Sequence, residues 1–324
     1  MRKAPTMFKI ICILLMFFSV QVFAMSERDA LAELRTRDAY VGLIAAKTPQ
    51  GLVATSGAVG ANRTSYRDVG EQRHALWAFR RDLIQGAQGS ADAAKAWAYA
   101  WGHLTYDGYF ENGLALPDTA TLEANTFYLS AYCEATNPVP YVQGPVHVNL
   151  AYLSQNLADI YAQGARATNR LAFAATAFIL AGERTGNVQA VRSGKLLLEQ
   201  AFLLQSADGY FSEKGGWDTS YQAVTMLQLE ALYFGSADPA VRNAVAIRLQ
   251  RAALWLEARV HATGVVCDRG NTRTANNADD SPEHKQINYP EVALALGYAG
   301  AVLSDESLID AGASVADYFL HSLP

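Results

Sequence analysis

The stretch Leu171 to Ala181 reads Leu-Ala-Phe-Ala-Ala-Thr-Ala-Phe-Ile-Leu-Ala, with no charged residue on any face of a helix. Val292 to Leu303 has the same character. Both fall short of the ~20 apolar residues that a membrane span requires, so each predicts a helix buried on all sides inside a protein. Such a helix must be surrounded by others, and the rest of the chain supplies them. Helical periodicity predicts segments at about 26–47, 66–86, 90–105, 118–135, 146–163, 167–183, 187–205, 217–234, 238–261, 288–303 and 305–322, with almost no strand signal. Segment 238–261 carries Arg242, Arg248, Arg251, Glu257 and Arg259 and reads as a helix with one solvated face. The expected fold class is all-α, with inner and outer helices.

Local punctuation agrees. Asp118, Asp218, Asp238 followed by Pro239, and Asp305 stand where helices begin. Gly86, Gly108, Gly164, Gly186, Gly209, Gly235 and Gly264 stand where helices are expected to end. A weak repeat runs through the chain. Asp107-Gly108-Tyr109-Phe110-Glu111-Asn112-Gly113 and Asp208-Gly209-Tyr210-Phe211-Ser212-Glu213-Lys214-Gly215-Gly216 each follow one helix and lead into another, and Thr263 to Gly270 holds a comparable place. Repeated helical hairpins predict an (α/α) toroid whose loops line a cleft at one end. No linker divides residues 25–324, which are expected to form one domain.

The first 24 residues read as a secretory signal: Arg2, Lys3 and Lys9 flank the apolar run Ile10 to Val20, and Val22-Phe23-Ala24 forms a cleavage site. The protein after cleavage is expected to be periplasmic or secreted, without a membrane span. Its 23 Lys and Arg face 31 Asp and Glu, a net charge of −8, and the absence of a basic cluster disfavours nucleic acid. Cys133 and Cys267 remain as an even pair in an oxidising compartment, which leaves a disulfide between them open.

Three regions carry the types of residue that chemistry needs. Asp208 to Gln222, reading DGYFSEKGGWDTSYQ, brings Glu213, Lys214, Trp217, Asp218, Tyr221 and Gln222 to a loop opening a helix. Aromatic rings beside carboxylates and amides suit a sugar groove, in which pyranose faces stack and hydroxyls find hydrogen bonds. The plainer alternative makes Asp218 a helix cap and Trp217 a core plug. The polar loop 263–288 offers Arg269, Arg273, His284 and Lys285 ahead of Asn288 and Tyr289, and its cations suit a uronate carboxylate; a solvated loop is the alternative. His147 and Asn149 open a further helix, and Tyr109 and Asn112 belong to the first repeat.

Helix–DGYF–loop–helix repeats of this kind resemble those of the (α/α)-toroid carbohydrate-active enzymes, and the DGYF segments are similar to the DGSF-type loops of hyaluronate and chondroitin lyases. The paired Asn with tandem Trp of those lyases is absent. The resemblance implies a polysaccharide or oligosaccharide substrate, and the basic, Tyr, His and Asn residues beside the expected groove favour β-elimination of an acidic one. Tyr221, Tyr289 and His284 would then exchange protons, while Tyr109, Asn112, His147, Asn149, Lys214, Trp217, Gln222, Arg269, Arg273 and Asn288 would hold the sugar. Two alternatives stay open: hydrolysis by a carboxylate pair drawn from residues such as Glu213, Asp218 and Glu291, and a glycan-binding protein without turnover. No metal or cofactor is expected, since the chain lacks metal-ligand spacing and a phosphate loop, and no Gly-x-Ser-x-Gly elbow marks a serine hydrolase.

Overall fold

Residues 25–60, 69–110, 119–135, 142–274 and 285–323 are described by the structure, a computed structural model, in which these residues are helical and contain no strand. The expected signal segment and the site candidates Asn112 and His284 lie outside them. The helices are α1 (Glu27–Leu34), α2 (Asp38–Lys47), α3 (Val69–Gln72), α4 (Ala75–Ile84), α5 (Ala91–Trp101), α6 (Thr119–Ala135), α7 (Gln143–Gln155), α8 (Leu157–Gly164), α9 (Thr168–Thr185), α10 (Val188–Leu203), α11 (Thr219–Gly235), α12 (Pro239–Glu257), α13 (Tyr289–Leu303) and α14 (Glu306–His321). The segment expected as one helix over 26–47 is broken at 35–37. Its apolar positions jump five residues, from Leu34 to Ala39, so one straight helix would turn its second half away from the core. The segment over 66–86 likewise breaks at Arg73 and His74, and that over 146–163 breaks at Asn156.

Two layers follow from burial. Every residue of α9 from Leu171 to Gly182 and of α13 from Val292 to Ala301 is buried, as charge-free circumferences require. α12 buries one stripe from Val241 to Leu256 and leaves Ile247 65% exposed. The inner helices meet in series: α4 with α6, α6 with α9, α9 with α11, α11 with α13, α13 with α1, and α1 with α4. Outside them α10 covers α9, α12 covers α11, and α14 covers α13 and reaches α2.

Gly108, Gly209 and Gly264 do not end helices, contrary to expectation. Each sits at the tip of a seven-residue turn that follows an outer helix and feeds an inner one. The turns bridge Leu104 to Phe110, Gln205 to Phe211 and Val260 to Val266, and a fourth, Val53 to Val59, carries Gly57 in the same place. In each the glycine N–H donates back three residues, as from Gly209 to the Ser206 carbonyl (3.2 Å) and from Gly264 to the His261 carbonyl (2.8 Å). All four glycines have positive φ, between 81° and 109°. A side chain there would meet the next outer helix: an added Cβ would lie 2.0 Å from the Ser314 carbonyl oxygen at Gly264 and 2.3 Å from that of Arg251 at Gly209. The repeated glycine therefore lets each turn lie on a helix backbone.

Towards the other end of the inner helices lies a charged cluster in a buried setting. The Arg80 guanidinium of α4 donates to Glu27 of α1 (3.1 Å) and to Glu134 of α6, and the Tyr298 hydroxyl of α13 donates to the same Glu27 oxygen (2.6 Å). Glu230 of α11 is fully buried, and neither of its carboxyl oxygens has a hydrogen-bond partner. Burial pushes Glu134 up to about 8 against the pull of Arg80, and burial likewise raises Glu230 well above the ordinary carboxylate range. Cys133 and Cys267 are not disulfide-bonded, so the pairing left open by the sequence is not formed.

Substituting Gly264→Ala adds a clash to the strain of a positive φ, and the expected loss is about 2–4 kcal/mol in urea unfolding. Gly186→Ala, with positive φ but nothing within 4 Å of the added carbon, is expected to lose about 1 kcal/mol. The buried carboxyls give a second expectation. Their protons are held more tightly folded than unfolded, so this contribution is complete below the ordinary carboxylate value of 4.5 and is lost as pH rises through about 8. Thermal melts should therefore fall in Tm from pH 5 to pH 9, and Glu230→Gln should flatten that fall.

Candidate functional site

At the end of the molecule where the turns lie, the first turns of α6, α9, α11 and α13 open into a cleft of about 480 Å³. Glu123 and Phe127 come from α6, Asn169 and Phe173 from α9, Ser220 and Tyr221 from α11, and Glu291 from α13. Arg73, at the break between α3 and α4, and the segments carrying Arg273, Thr274, Lys285 and Asn288 complete the wall. Helix N-termini converge on this space, and their aligned dipoles favour negative charge.

Asp218 holds this wall in place. It is 1% exposed and caps α11 by accepting from the Ser220 and Tyr221 N–H groups, both at 3.1 Å. Its second oxygen accepts from the N–H groups of Arg273 (2.9 Å) and Thr274 (2.8 Å), and the Thr274 hydroxyl donates to its first. Asn271 ties the same segment to Thr219, its amide donating to the hydroxyl (2.7 Å) and its carbonyl oxygen accepting from the backbone N–H (3.2 Å). The Thr272 hydroxyl donates to the Glu213 carbonyl (2.9 Å). The polar segment at 271–274 is thus ordered by one buried carboxylate and one buried amide.

The result is a chain of charge along one side of the cleft. Glu213, 2% exposed, accepts from the Arg273 guanidinium at 2.7 Å, and burial pushes its carboxyl up to about 7 while Arg273 opposes that rise. The guanidinium carbon of Arg273 stands 3.9 Å from the centre of the Tyr221 ring. Lys285 donates to the Tyr221 hydroxyl at 2.9 Å. Elsewhere in the wall Glu123 pairs with Arg170 at 3.0 Å, and Arg73 lies over the rings of Phe127 (5.1 Å) and Phe173 (5.8 Å). The Asn169 side-chain oxygen is buried without a hydrogen-bond partner.

Of the residues picked from the sequence, Tyr221, Arg273, Lys285 and Asn288 line the cleft, with Glu213 directly behind Arg273. Gln222 is buried and holds the turn before it, accepting from the Phe211 N–H (2.8 Å) and donating to the Ala252 carbonyl (3.2 Å). Asn149 is buried likewise, donating to the Gly108 carbonyl (2.8 Å). Trp217 packs edge-on against Tyr210, and Tyr289 packs against Tyr318 on α14. Lys214 and Arg269 are exposed, Lys214 with φ of 50°. Tyr109 and His147 sit in a separate depression over α7. Glu291, a candidate hydrolytic carboxylate, lines the cleft as well, and the cleft residues missed include Arg73, Glu123, Phe127, Asn169 and Phe173. Among these only Asn169 carried a local signal, an amide in the first turn of a helix otherwise destined for the core.

Among the described residues no group of His, Cys, Asp and Glu side chains is arranged to hold a metal, and no helix is long and apolar enough to cross a membrane. Comparison with protein-family models, curated proteins and solved structures finds no match to this chain.

Asp218→Ala is expected to leave buried backbone N–H groups without acceptors, costing about 3 kcal/mol in urea unfolding. Asp218→Asn, which keeps one good acceptor, should fall between it and the parent.

Proposed function

We propose that the protein is an exported (α/α)-toroid enzyme that cleaves an acidic polysaccharide by β-elimination in this cleft. The observation that carries the reading is the Arg273–Tyr221–Lys285 constellation, a phenol between two cations in the wall of a groove that favours negative charge. Contacts running from α4 through α6, α9, α11 and α13 to α1 and back support a closed ring of inner helices. Export rests on the expected signal segment.

In the reaction, a uronate carboxylate is neutralised by the cleft cations, of which Arg73 forms no ion pair with a described residue. Neutralisation lets the C5–H electron pair form the C4–C5 double bond as the C4–O bond breaks. Tyr221 in its phenolate form takes the C5 proton and passes it to the departing oxygen. Lys285 and Arg273 flank the oxygen and the ring that carry the negative charge. Hydrolysis would instead draw on the two carboxylates facing the cleft, Glu123 and Glu291, since Asp218 is committed to hydrogen bonds and Glu213 stands behind Arg273.

Incubation with alginate, polygalacturonate, hyaluronate and chondroitin should raise the ultraviolet absorbance of an unsaturated uronate with one of them. Tyr221→Phe should lower that turnover by about 100-fold or more while binding persists. Reducing ends released without the absorbance would replace elimination by hydrolysis, and binding without either signal would leave a glycan-binding protein.

A further inference from the structure

The turn at 104–110 differs from its three counterparts at one point. Where they present Thr55, Ala207 and Ala262 at the tip, it presents Tyr106, which is 98% exposed. The turn does not need this ring. Its own hydrogen bonds run from the Thr105 N–H to the Tyr109 carbonyl and from the Gly108 N–H to the Thr105 carbonyl, as in the sister turns. Behind Tyr106 the rings of Tyr109 and Tyr152 pack at 5.6 Å with a tilt of 45°. The three tyrosines share an open depression with Asp107, His147 and Gln155, all exposed.

We propose that this depression is a second carbohydrate-binding surface, separate from the cleft. Its chemistry is that of a sugar platform: ring faces for the C–H side of a pyranose, with a carboxylate, an imidazole and an amide at the rim for hydroxyls. Val148 and Ala151 are its only aliphatic lining. The turn precedes α6, whose Asn125 accepts from the Phe110 N–H (3.1 Å). The choice of a polysaccharide rests on the proposed function, whereas the surface itself shares no residue with the cleft.

Affinity electrophoresis of the full protein through gels containing alginate, polygalacturonate, hyaluronate, chondroitin or xylan tests this directly. Tyr106→Ala should weaken retention on the bound polymer by about tenfold, while turnover of a short oligosaccharide that fits the cleft alone stays at the parent rate. Tyr221→Phe should show the reverse, keeping retention and losing turnover. Retention lost with Tyr106→Ala in a protein that turns over nothing would keep the surface and discard the enzymatic reading. Equal retention of Tyr106→Ala and parent, or no retention of the parent on any of the five polymers, would overturn the proposal. So would a concentration-dependent dimer that Tyr106→Ala abolishes, because the ring would then serve a copy of the chain.

Discussion

The arrangement of the inner helices depends on how the first of them is tied to the others, and that task falls to Glu27. Its carboxylate receives Arg80 from α4 and the Tyr298 hydroxyl from α13, so a residue near the start of the described chain is bonded to partners 53 and 271 positions away. Arg80 then reaches Glu134 on α6, bringing four inner helices to one cation. Burying a charge is costly unless it is paired, so this cluster tolerates only the packing in which all of its members meet. Burial away from water, with the excess of carboxyls over the single cation adding to it, makes Glu134 and Glu230 hold their protons above the ordinary range.

At the opposite end the same architecture is used for display. Four turns of one geometry lay a glycine on a neighbouring helix, and three of them lead to the inner helices α6, α11 and α13. The first turns of those helices converge where the cleft opens. Asp218 links the two ends of this logic. As a helix cap it starts α11 in the right place, and its remaining lone pairs capture Arg273 and Thr274 from a distant segment. The cleft cation is consequently positioned by the same group that begins the helix carrying Tyr221. Glu213 then neutralises Arg273 from behind and leaves its face on the tyrosine ring.

Helix existence was legible in the sequence to within a few residues for most segments, because charge-free circumferences and Asp caps are local signals. The breaks at 35–37 and at Arg73 were not read, since a turn of two or three polar residues barely disturbs helical composition. The turns were recognised where they spell Asp-Gly-Tyr-Phe and overlooked at Val53 to Val59, where Ala54-Thr55-Ser56-Gly57 does the same work without those letters. In the candidate site Tyr221, Arg273, Lys285 and Asn288 were found because they cluster in polar segments. Gln222 and Asn149 were misplaced for the same reason, as an amide that satisfies a buried turn looks in sequence like an amide that binds a sugar. Arg73, Glu123 and Asn169 come from three other segments, and nothing local marks them as neighbours.

By itself the sequence determined the all-helical class, the division into wholly buried and one-faced helices, and the glycines of the repeated turns it could spell. These follow from periodicity, capping and the conformational freedom of glycine, which act over a few residues. Tertiary structure alone decided that Arg80 gathers carboxyls from α1 and α6, that Cys133 and Cys267 stay apart, and that Tyr221 stands between Arg273 and Lys285. Each of these depends on distances between segments tens to hundreds of residues apart, and such distances are set only when the helices pack.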